Sequence, residues 1–154
     1  AHSLINKYNT KAPFVKALSD KCMQKASSEG VIRTKLGRKC RFDMWEPKDF
    51  GIHTAERFEN ASAKYGADNI KRAFTYKALN RLIQGSAADQ TKQAVVKCHE
   101  QGFTPMLQVH DELCFSISNQ EQIKKIKHIM ETCIDLKVPS VVDVALGKDF
   151  GEAS

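Results

Sequence analysis

The sequence lacks several signatures that would assign it to a class at once. It has five cysteines but no Cys-x-x-Cys pair and no histidine at zinc-ligand spacing, so we expect reduced, mostly structural thiols. No apolar run approaches the roughly 18 residues of a membrane span, and the amino-terminal segment lacks the hydrophobic core of a signal peptide. Internal repeats and low-complexity stretches are also missing. These absences predict a cytoplasmic protein with no membrane contact.

Length and charge indicate the number of domains and the kind of binding partner. At 154 residues the chain can form one domain that buries roughly two-thirds of its unfolded surface, and a second domain is not expected. Lys and Arg outnumber Asp and Glu by 24 to 18, which gives a formal charge of +6 and a pI near 9.1. This excess suits a polyanionic partner such as nucleic acid, although many basic domains bind none.

The first third of the chain predicts a helix followed by a hairpin. Pro13 precedes apolar residues at helical spacing, so a helix is predicted over 13–29, with Gly30 ending it. Residues 31–35 and 38–42 predict two short strands about a glycine turn. The hairpin is strongly basic through Arg33, Lys35, Arg38, Lys39 and Arg41. Its cations either contact phosphates or keep an exposed sheet edge from aggregating.

The middle of the chain carries a weaker pattern. Residues 43–67 are polar and show no steady period apart from a short helix near 54–64. From Asp68 to about Gln101 the apolar residues have helical spacing, and we predict one long helix. Gly85 interrupts it. An interior glycine costs about 1 kcal/mol relative to alanine, which predicts a kink, a break or a close approach of another backbone.

Four polar residues are predicted to share one face of that helix. They are Lys77, Asn80, Arg81 and Gln84, which lie away from the leucines. This face is either a row of hydrogen-bond donors for nucleic acid or an ordinary water-facing strip.

The stretch Leu107-Gln-Val-His-Asp-Glu-Leu-Cys-Phe-Ser-Ile117 places acids inside an apolar strand pattern. In a continuous strand Asp111 would share a face with Leu107 and Val109, and a buried, unpaired carboxylate costs several kcal/mol or more. Two solutions are possible. Either the chain turns here and joins strands 106–109 and 113–117, or the acids are ligands for a hard metal ion.

The last part of the chain predicts a helix and a closing strand. Residues 118–121 have the pattern of a capping box, and apolar residues at helical spacing continue to Ile134. Residues 138–146 predict a strand and 147–154 a tail. The order of elements predicts an α+β fold, with a mainly antiparallel sheet backed by helices.

Two stretches together resemble the carboxy-terminal palm region of family A DNA polymerases, which include bacterial DNA polymerase I and related phage replicases. Ala78-Leu-Asn-Arg-Leu-Ile-Gln-Gly-Ser-Ala-Ala-Asp89 is similar to a family helix that carries Asn, then Gln-Gly, then small residues ending in Asp. Leu107-Gln-Val-His-Asp-Glu-Leu113 is similar to the family's third catalytic motif, whose core is Val-His-Asp-Glu. The separation of the two stretches also matches. Weaker likeness begins at about residue 6, and residues 43–67 match poorly.

The resemblance implies two-metal nucleotidyl transfer in DNA replication, with two Mg²⁺ ions in the complete enzyme. It implies a partial polymerase fold: an antiparallel palm sheet with a catalytic-motif hairpin, backed by helices, plus a long polar and basic helix. Asp111 would be the catalytic, metal-binding carboxylate, and Glu112 a neighbouring acid with a lesser role. His110 and Gln108 would lie against the primer end.

The same resemblance implies contacts to primer-template DNA. Asn80 and Gln84 would face the duplex near its minor groove, where acceptors common to all base pairs report pairing geometry. Lys77, Arg81 and Arg38 complete the predicted DNA-binding set. Tyr76 stands where bacterial members carry Arg, with Lys77 next to it.

Several parts of the family's architecture have no counterpart in the sequence. They are the first catalytic motif, an Asp-Tyr-Ser-type stretch with the second metal-binding aspartate, together with the fingers helix, the thumb and any exonuclease domain. In the family these precede the matching region, so we expect residues 1–154 to form a single partial domain, the carboxy-terminal palm with adjoining fingers-proximal helices. The isolated chain is expected to be inactive. An amino-terminal polymerase chain would complete it, or it is cut from a longer one, and the complete enzyme would bind dNTP.

Other interpretations are kept beside this one. The chain could be a non-catalytic nucleic-acid-binding remnant of a polymerase palm. It could be related to single-subunit RNA polymerases, which share a His-Asp motif, although the Gln84-Gly85 helix argues against this. In a purely structural interpretation Asp111 and Glu112 are turn residues. If the source is a virus, the expected location is the host cytoplasm.

Overall fold

The structure, a computed structural model, describes residues 2–49 and 51–153. Ala1, Phe50 of the predicted 43–67 segment and Ser154 of the predicted tail lie outside the described residues. The chain divides into two units, residues 1–85 and 86–154. Both contain helices and small antiparallel sheets, and the predicted α+β class is confirmed. Among the described helices, none combines the length and apolarity that a bilayer crossing requires.

The first unit contains helices and two small sheets. Its elements are α1 His2–Lys11, α2 Pro13–Glu29, β1 Val31–Arg33, β2 Lys39–Arg41, β3 Met44–Pro47, β4 Glu56–Arg57, α3 Phe58–Tyr65, a 3₁₀ turn Ala67–Asn69, β5 Ile70–Arg72 and a 3₁₀ turn Thr75–Lys77. α4, Ala78–Glu100, belongs to this unit up to Gly85. β1 pairs with β2, and a second sheet has the order β4-β3-β5.

The predicted first helix and hairpin are confirmed. α2 begins at Pro13 and ends at Gly30, whose N–H donates to the carbonyl of Ala26 at 3.1 Å. Gly30 has a left-handed φ of 70°, and a Cβ there would lie 2.5 Å from Cζ of Arg72. The position therefore needs glycine for its backbone and for the guanidinium packed on it.

The core of the first unit lies where α2, the β1–β2 hairpin and the start of α4 pack together. Its buried members are Cys22, Ala26, Ile32, Phe42 and Ala78, with Cys40, Leu79 and Leu82 partly buried around them. Arg72 borders this core by donating to the carbonyl of Phe42 at 2.9 Å while its guanidinium covers the Trp45 ring at 4.6 Å. A guanidinium held between a carbonyl and an indole ring fixes β5 next to β3.

One prediction for the middle of the chain is wrong. The long helix begins at Ala78 and not at Asp68, because residues 70–72 form β5, whose Ile70 is buried opposite Pro47. Residues 43–67, which show no steady period in the sequence, contain β3, β4 and α3. The predicted helix near 54–64 is observed as α3, which begins at Phe58. α1 is a further element that the pattern does not predict.

The second unit contains the rest of α4, one hairpin and two further helices. Its elements are β6 Leu107–Val109, β7 Glu112–Cys114, α5 Gln120–Thr132 and α6 Phe150–Ala153. A core cluster of Ala94, Cys133 and Ile134 joins α4 to the end of α5, with Leu113 and Met130 packed against it. Leu113 thereby anchors β7 to the helices.

The predicted strand over 138–146 is wrong, because these residues, all of them described, have no regular secondary structure. A strand needs a partner for its backbone groups, and Pro139 removes one donor. The segment is held by side chains instead. Ser140 Oγ accepts from Nε2 of Gln90 at 2.7 Å, and the N–H of Val142 donates to Oε1 of Glu131 at 3.1 Å.

The capping box is observed one residue later than predicted. Asn119 is the N-cap of α5, and its Oδ1 accepts from the N–H of Gln122 at 3.1 Å. Oε1 of Gln122 accepts in return from the N–H of Ser118 at 2.7 Å. The pair Asn119 and Gln122 thus resembles a capping box, except that the return bond goes to the N–H of Ser118 and not to that of the N-cap residue.

Asn119→Ala is expected to lower the free energy of unfolding of the second unit by about 1 kcal/mol, because it leaves the N–H of Gln122 without its cap. Ser118→Ala is the control, since Ser118 contributes only its backbone N–H and should change stability by less than about 0.5 kcal/mol. Hydrogen exchange of the α5 amides measures both. Equal effects of the two variants would contradict the assignment of the cap.

Candidate functional site

The acidic stretch forms a tight hairpin. β6 and β7 pair antiparallel with Val109 opposite Glu112, so His110 and Asp111 form a two-residue loop. His110 has a φ of 53°, and two-residue hairpin loops of the primed types need such a positive φ at their first position. The turn interpretation of the sequence is confirmed.

The carboxylates of this hairpin are exposed. Asp111 lies in the loop and Glu112 begins β7, and neither is buried. Neither takes part in an ion pair within the described part of the chain. The turn thus avoids the cost of burying Asp111 and leaves both carboxylates available to a cation from outside.

Neighbouring side chains support the loop. Nε2 of Gln108 donates to the carbonyl of His110 at 3.1 Å, so Gln108 braces the backbone that carries Asp111. The opposite strand is held by Leu113, which packs against the core cluster of the second unit. Gln108, His110, Asp111 and Glu112 are therefore brought together on one short hairpin.

Magnesium fits this hairpin by donor type but not by donor number. Mg²⁺ is a hard ion that binds carboxylate oxygens and keeps several waters, and Asp111 and Glu112 supply such oxygens. Within the described residues, no group of three His, Cys, Asp or Glu is placed to hold a metal ion.

Among the described residues, the cysteines belong to no group of three His, Cys, Asp or Glu that could hold a metal ion. All five are free, as the sequence predicts. Burial raises the pKa of the thiols of Cys22, Cys98 and Cys133, and the nearby Cys133 raises that of Cys98 further. These thiols stay protonated at neutral pH and act as packing groups.

The predicted polar face of α4 divides into two kinds of residue. Asn80 and Gln84 are exposed and lie one turn apart on the helix. Arg81 is half-buried, because its Nη1 donates to the carbonyl of Arg41 at 2.9 Å and its guanidinium covers the Phe42 ring at 4.7 Å. Asn80 and Gln84 therefore leave their side chains open to a ligand, and so does Lys77, which is also exposed.

Two further predicted residues lie at the edges of this face. Lys77 belongs to the 3₁₀ turn before α4, where its Nζ lies 4.9 Å from the Phe74 ring and 5.5 Å from the Tyr76 ring. Arg38 Nη2 donates to the carbonyl of Gly85 at 2.7 Å. Arg38 and Arg81 thus join the β1–β2 hairpin to the first part of α4.

Gly85 marks a close approach and not a break in the helix. α4 continues through Gly85 to Glu100, so the predicted break is wrong. A Cβ at residue 85 would lie 2.9 Å from Cγ2 of Thr34 and 3.3 Å from Nη2 of Arg38. The neighbours are side chains of the hairpin, where the sequence pattern suggested a backbone.

Gly85→Ala is expected to destabilise the first unit by about 1 kcal/mol. Overpacking costs about 1 to 3 kcal/mol, and the gain in helix propensity of about 1 kcal/mol offsets part of it. Thr34→Ser removes the methyl group in the way and keeps the hydroxyl that accepts from the N–H of Arg38 at 3.0 Å. The loss in free energy of unfolding in the double variant should therefore be smaller than the sum of the losses in the two single variants.

Urea unfolding followed by the fluorescence of Trp45, the single tryptophan, measures all members of this cycle. Strictly additive effects would contradict the contact between Gly85 and Thr34.

The sequence model described as DNA polymerase family A matches residues 1–152. The chain belongs to DNA polymerase family A. The predicted resemblance is confirmed, and the match covers nearly the whole chain.

Two relatives and one solved structure show the range of the likeness. A DNA-directed DNA polymerase of Pseudomonas phage M6 is 40% identical over 151 residues, which are 98% of this chain and 19% of that protein. DNA polymerase I of Caldicellulosiruptor bescii is 33% identical over an alignment of 161 residues, gaps included. The alignment covers 99% of this chain and 17% of that protein. The POL domain of Pol1 from M. smegmatis, in complex with DNA primer-template and dNTP, has a TM-score of 0.71 and 25% identity, covering 97% of this chain and 25% of that one.

The family A chain therefore spans about a fifth of the length of the curated relatives it matches. The structural likeness extends over both units, because it covers almost all of the chain.

Proposed function

We propose that these residues are the carboxy-terminal palm portion, with helices next to the fingers, of a DNA-directed DNA polymerase that acts in DNA replication. One observation carries the proposal. In a chain of family A, Asp111 lies exposed in a two-residue loop whose backbone Gln108 braces. This is a fixed position for a carboxylate that has no partner among the described residues.

The hairpin residues take separate roles in this proposal. Asp111 provides the metal-binding carboxylate, and Glu112 is a neighbouring acid that acts less directly. His110 and Gln108 contact the primer end. When bound, two Mg²⁺ ions would activate the primer's 3′-hydroxyl and offset the charge on the triphosphate. The second essential carboxylate comes from outside these residues.

We assign residues of α4 to contacts with the DNA duplex. Asn80 and Gln84 are exposed one turn apart and offer amide donors to the minor groove, where acceptors are shared by all base pairs. Lys77, Arg38 and Arg81 are assigned to the same DNA-binding region. For Arg38 and Arg81 the hydrogen bonds to the carbonyls of Gly85 and Arg41 favour a role in holding that region together.

The remainder of a polymerase completes the site. We assign to it the Asp-Tyr-Ser-type motif, the fingers helix and the thumb, carried either by a separate amino-terminal chain or by the same polypeptide. Two observations support this. The chain spans about a fifth of its relatives, and it exposes large apolar side chains that a partner would cover. They include Leu4, Phe14, Met106, Val138, Val141 and Leu146.

The proposed substrates are primer-template DNA and dNTP, the molecules bound by the M. smegmatis Pol1 domain. We place this activity in the cytoplasm, which is the host cytoplasm if the source is a virus.

Primer extension tests the proposal. The 154-residue chain is assayed alone, mixed with an amino-terminal polymerase chain, and within a longer polymerase that contains both. We expect templated, Mg²⁺-dependent addition in a combined form and none by the chain alone. Omitting one of the four dNTPs should stop extension at the matching template base. Addition by the isolated chain would contradict its dependence on a partner, and DNA binding without addition in every form would favour the non-catalytic remnant.

A further inference from the structure

We propose that the outward face of the β1–β2 hairpin, formed by Arg33, Lys39 and Arg41, binds the phosphate backbone of DNA. The inference rests on the proposed function, since it names the part of the chain that would hold the polymerase's DNA by charge. This set of residues differs from the set implied by the family resemblance, in which Arg38 is the hairpin residue that contacts DNA.

The strand register separates the two faces of the hairpin. Ile32 pairs with Cys40, and both side chains pack into the core of the first unit. Side chains alternate along a strand, so the pairs on either side of Ile32 and Cys40 point away from the core. Those pairs are Val31 with Arg41 and Arg33 with Lys39. Three of the four outward residues are therefore cations, and all three cations are exposed.

These cations are not neutralised by the chain itself. None of the ion pairs in the described part of the chain involves Arg33, Lys39 or Arg41. Arg33 and Lys39 are direct cross-strand partners, and like charges in that position repel. An arrangement that weakens the hairpin by itself becomes favourable when a polyanion bridges the two charges.

The charge of the chain is also concentrated here. Residues 1–41 hold ten of the 24 Lys and Arg but two of the 18 Asp and Glu, a net of +8. The rest of the chain therefore has a net charge of −2. The whole positive excess lies on α1, α2 and the hairpin, and such an asymmetry favours a polyanion at this end of the first unit.

The hairpin is held rigidly from its inner side. Arg38 donates to the carbonyl of Gly85, and Arg81 donates to the carbonyl of Arg41. Phe42, the residue after β2, is 2% exposed. The outward cations thus lie on a fixed ribbon. Nη1 of Arg33 also donates to the carbonyl of Gly37 at 3.0 Å, so its guanidinium is already held and binding phosphates would order mainly the side chains of Lys39 and Arg41.

Salt dependence of DNA binding tests the inference. A fluorescein-labelled primer-template is titrated with the 154-residue chain at several KCl concentrations. The variant R33Q/K39Q/R41Q should reduce the slope of log K against log salt by about 0.9 for each lost phosphate contact, or about 2 to 3 in all. K92Q/K124Q/K137Q removes the same charge from three other exposed positions and should leave the slope within about 1 of the wild type. Circular dichroism and Trp45 fluorescence check that each variant is folded.

Two further measurements distinguish DNA binding by the outward cations from a structural role of the hairpin and from binding of free phosphate. Arg38→Gln, which breaks the hydrogen bond to the carbonyl of Gly85, should lower the midpoint of thermal unfolding. Inorganic triphosphate should not compete with DNA, and competition at equal phosphate concentration would overturn the assignment to a DNA backbone. If wild type binds DNA and the hairpin variant keeps the wild-type slope, the inference fails while the proposed function stands. A wild type that binds no DNA, alone or in the longer polymerase, overturns both.

Discussion

Asp111→Asn is expected to abolish Mg²⁺-dependent primer extension by the assembled polymerase. The amide has the shape of the carboxylate but no charge, so it removes a metal ligand and leaves the loop in place. The rate of extension should fall by more than about 100-fold. That is the upper range of the loss seen when a residue that hydrogen-bonds to a metal ligand is replaced. Because Asp111 is exposed and unpaired among the described residues, stability should change by less than about 0.5 kcal/mol.

Two matched variants make this result specific. Asp43→Asn is the same chemical change at another exposed aspartate and should leave extension at the wild-type rate. Glu112→Gln should reduce extension less than Asp111→Asn. Rates are measured as single-turnover nucleotide addition with each variant in the same assembled enzyme. Full activity of Asp111→Asn would remove the proposed role of this residue, whatever the family of the chain.

Phe42→Ala is expected to unfold much of the first unit. The ring is 2% exposed, and truncating a buried phenylalanine costs about 3 to 5 kcal/mol. The same change removes the surface on which the Arg81 guanidinium lies at 4.7 Å. Domains typically have a free energy of unfolding of only about 5 to 15 kcal/mol, so this one substitution removes a large part of it.

Urea unfolding followed by Trp45 fluorescence measures this loss, because Trp45 lies in the first unit. Phe14→Ala is the control, since Phe14 is 71% exposed on α2 and should change stability by less than about 0.5 kcal/mol. Similar midpoints for the two variants would show that the packing around Phe42 contributes little to the fold.

Elements with strong local signals are the ones that the sequence predicts. α2 has proline at its start and glycine past its end, and α5 has a polar cap and a regular apolar stripe. The two predicted hairpins also form, because a glycine turn and an acidic tip interrupt apolar alternation. In each case the residues that decide the structure lie within a few positions of one another.

Elements that depend on distant partners are predicted poorly. Ile70 fits a helical stripe as well as a strand, and its pairing with Pro47 decides for the strand. β3 and β4 have four and two residues, too few for a visible period. Residues 138–146 have the composition of a strand, but the described residues offer them side-chain contacts with Gln90 and Glu131 and no pairing ladder.

The candidate site shows the same division. The motif predicts the hairpin residues by resemblance, and the structure gathers them on one hairpin. The motif does not predict that Arg38 and Arg81 are occupied by backbone carbonyls, because their acceptors lie 47 and 40 positions away. Alternation about Ile32 and Cys40 is the signal that could have distinguished the outward cations Arg33, Lys39 and Arg41 from Arg38.

The backbone of His110 places a limit on engineering this chain for heat tolerance. Its φ of 53° costs an ordinary side chain about 1 to 2 kcal/mol, and glycine or asparagine would adopt it more readily. A selection for thermal resistance alone should therefore replace the imidazole early. Variants obtained that way would gain melting temperature at the one loop where catalysis is proposed, and screens should couple heat challenge to nucleotide incorporation.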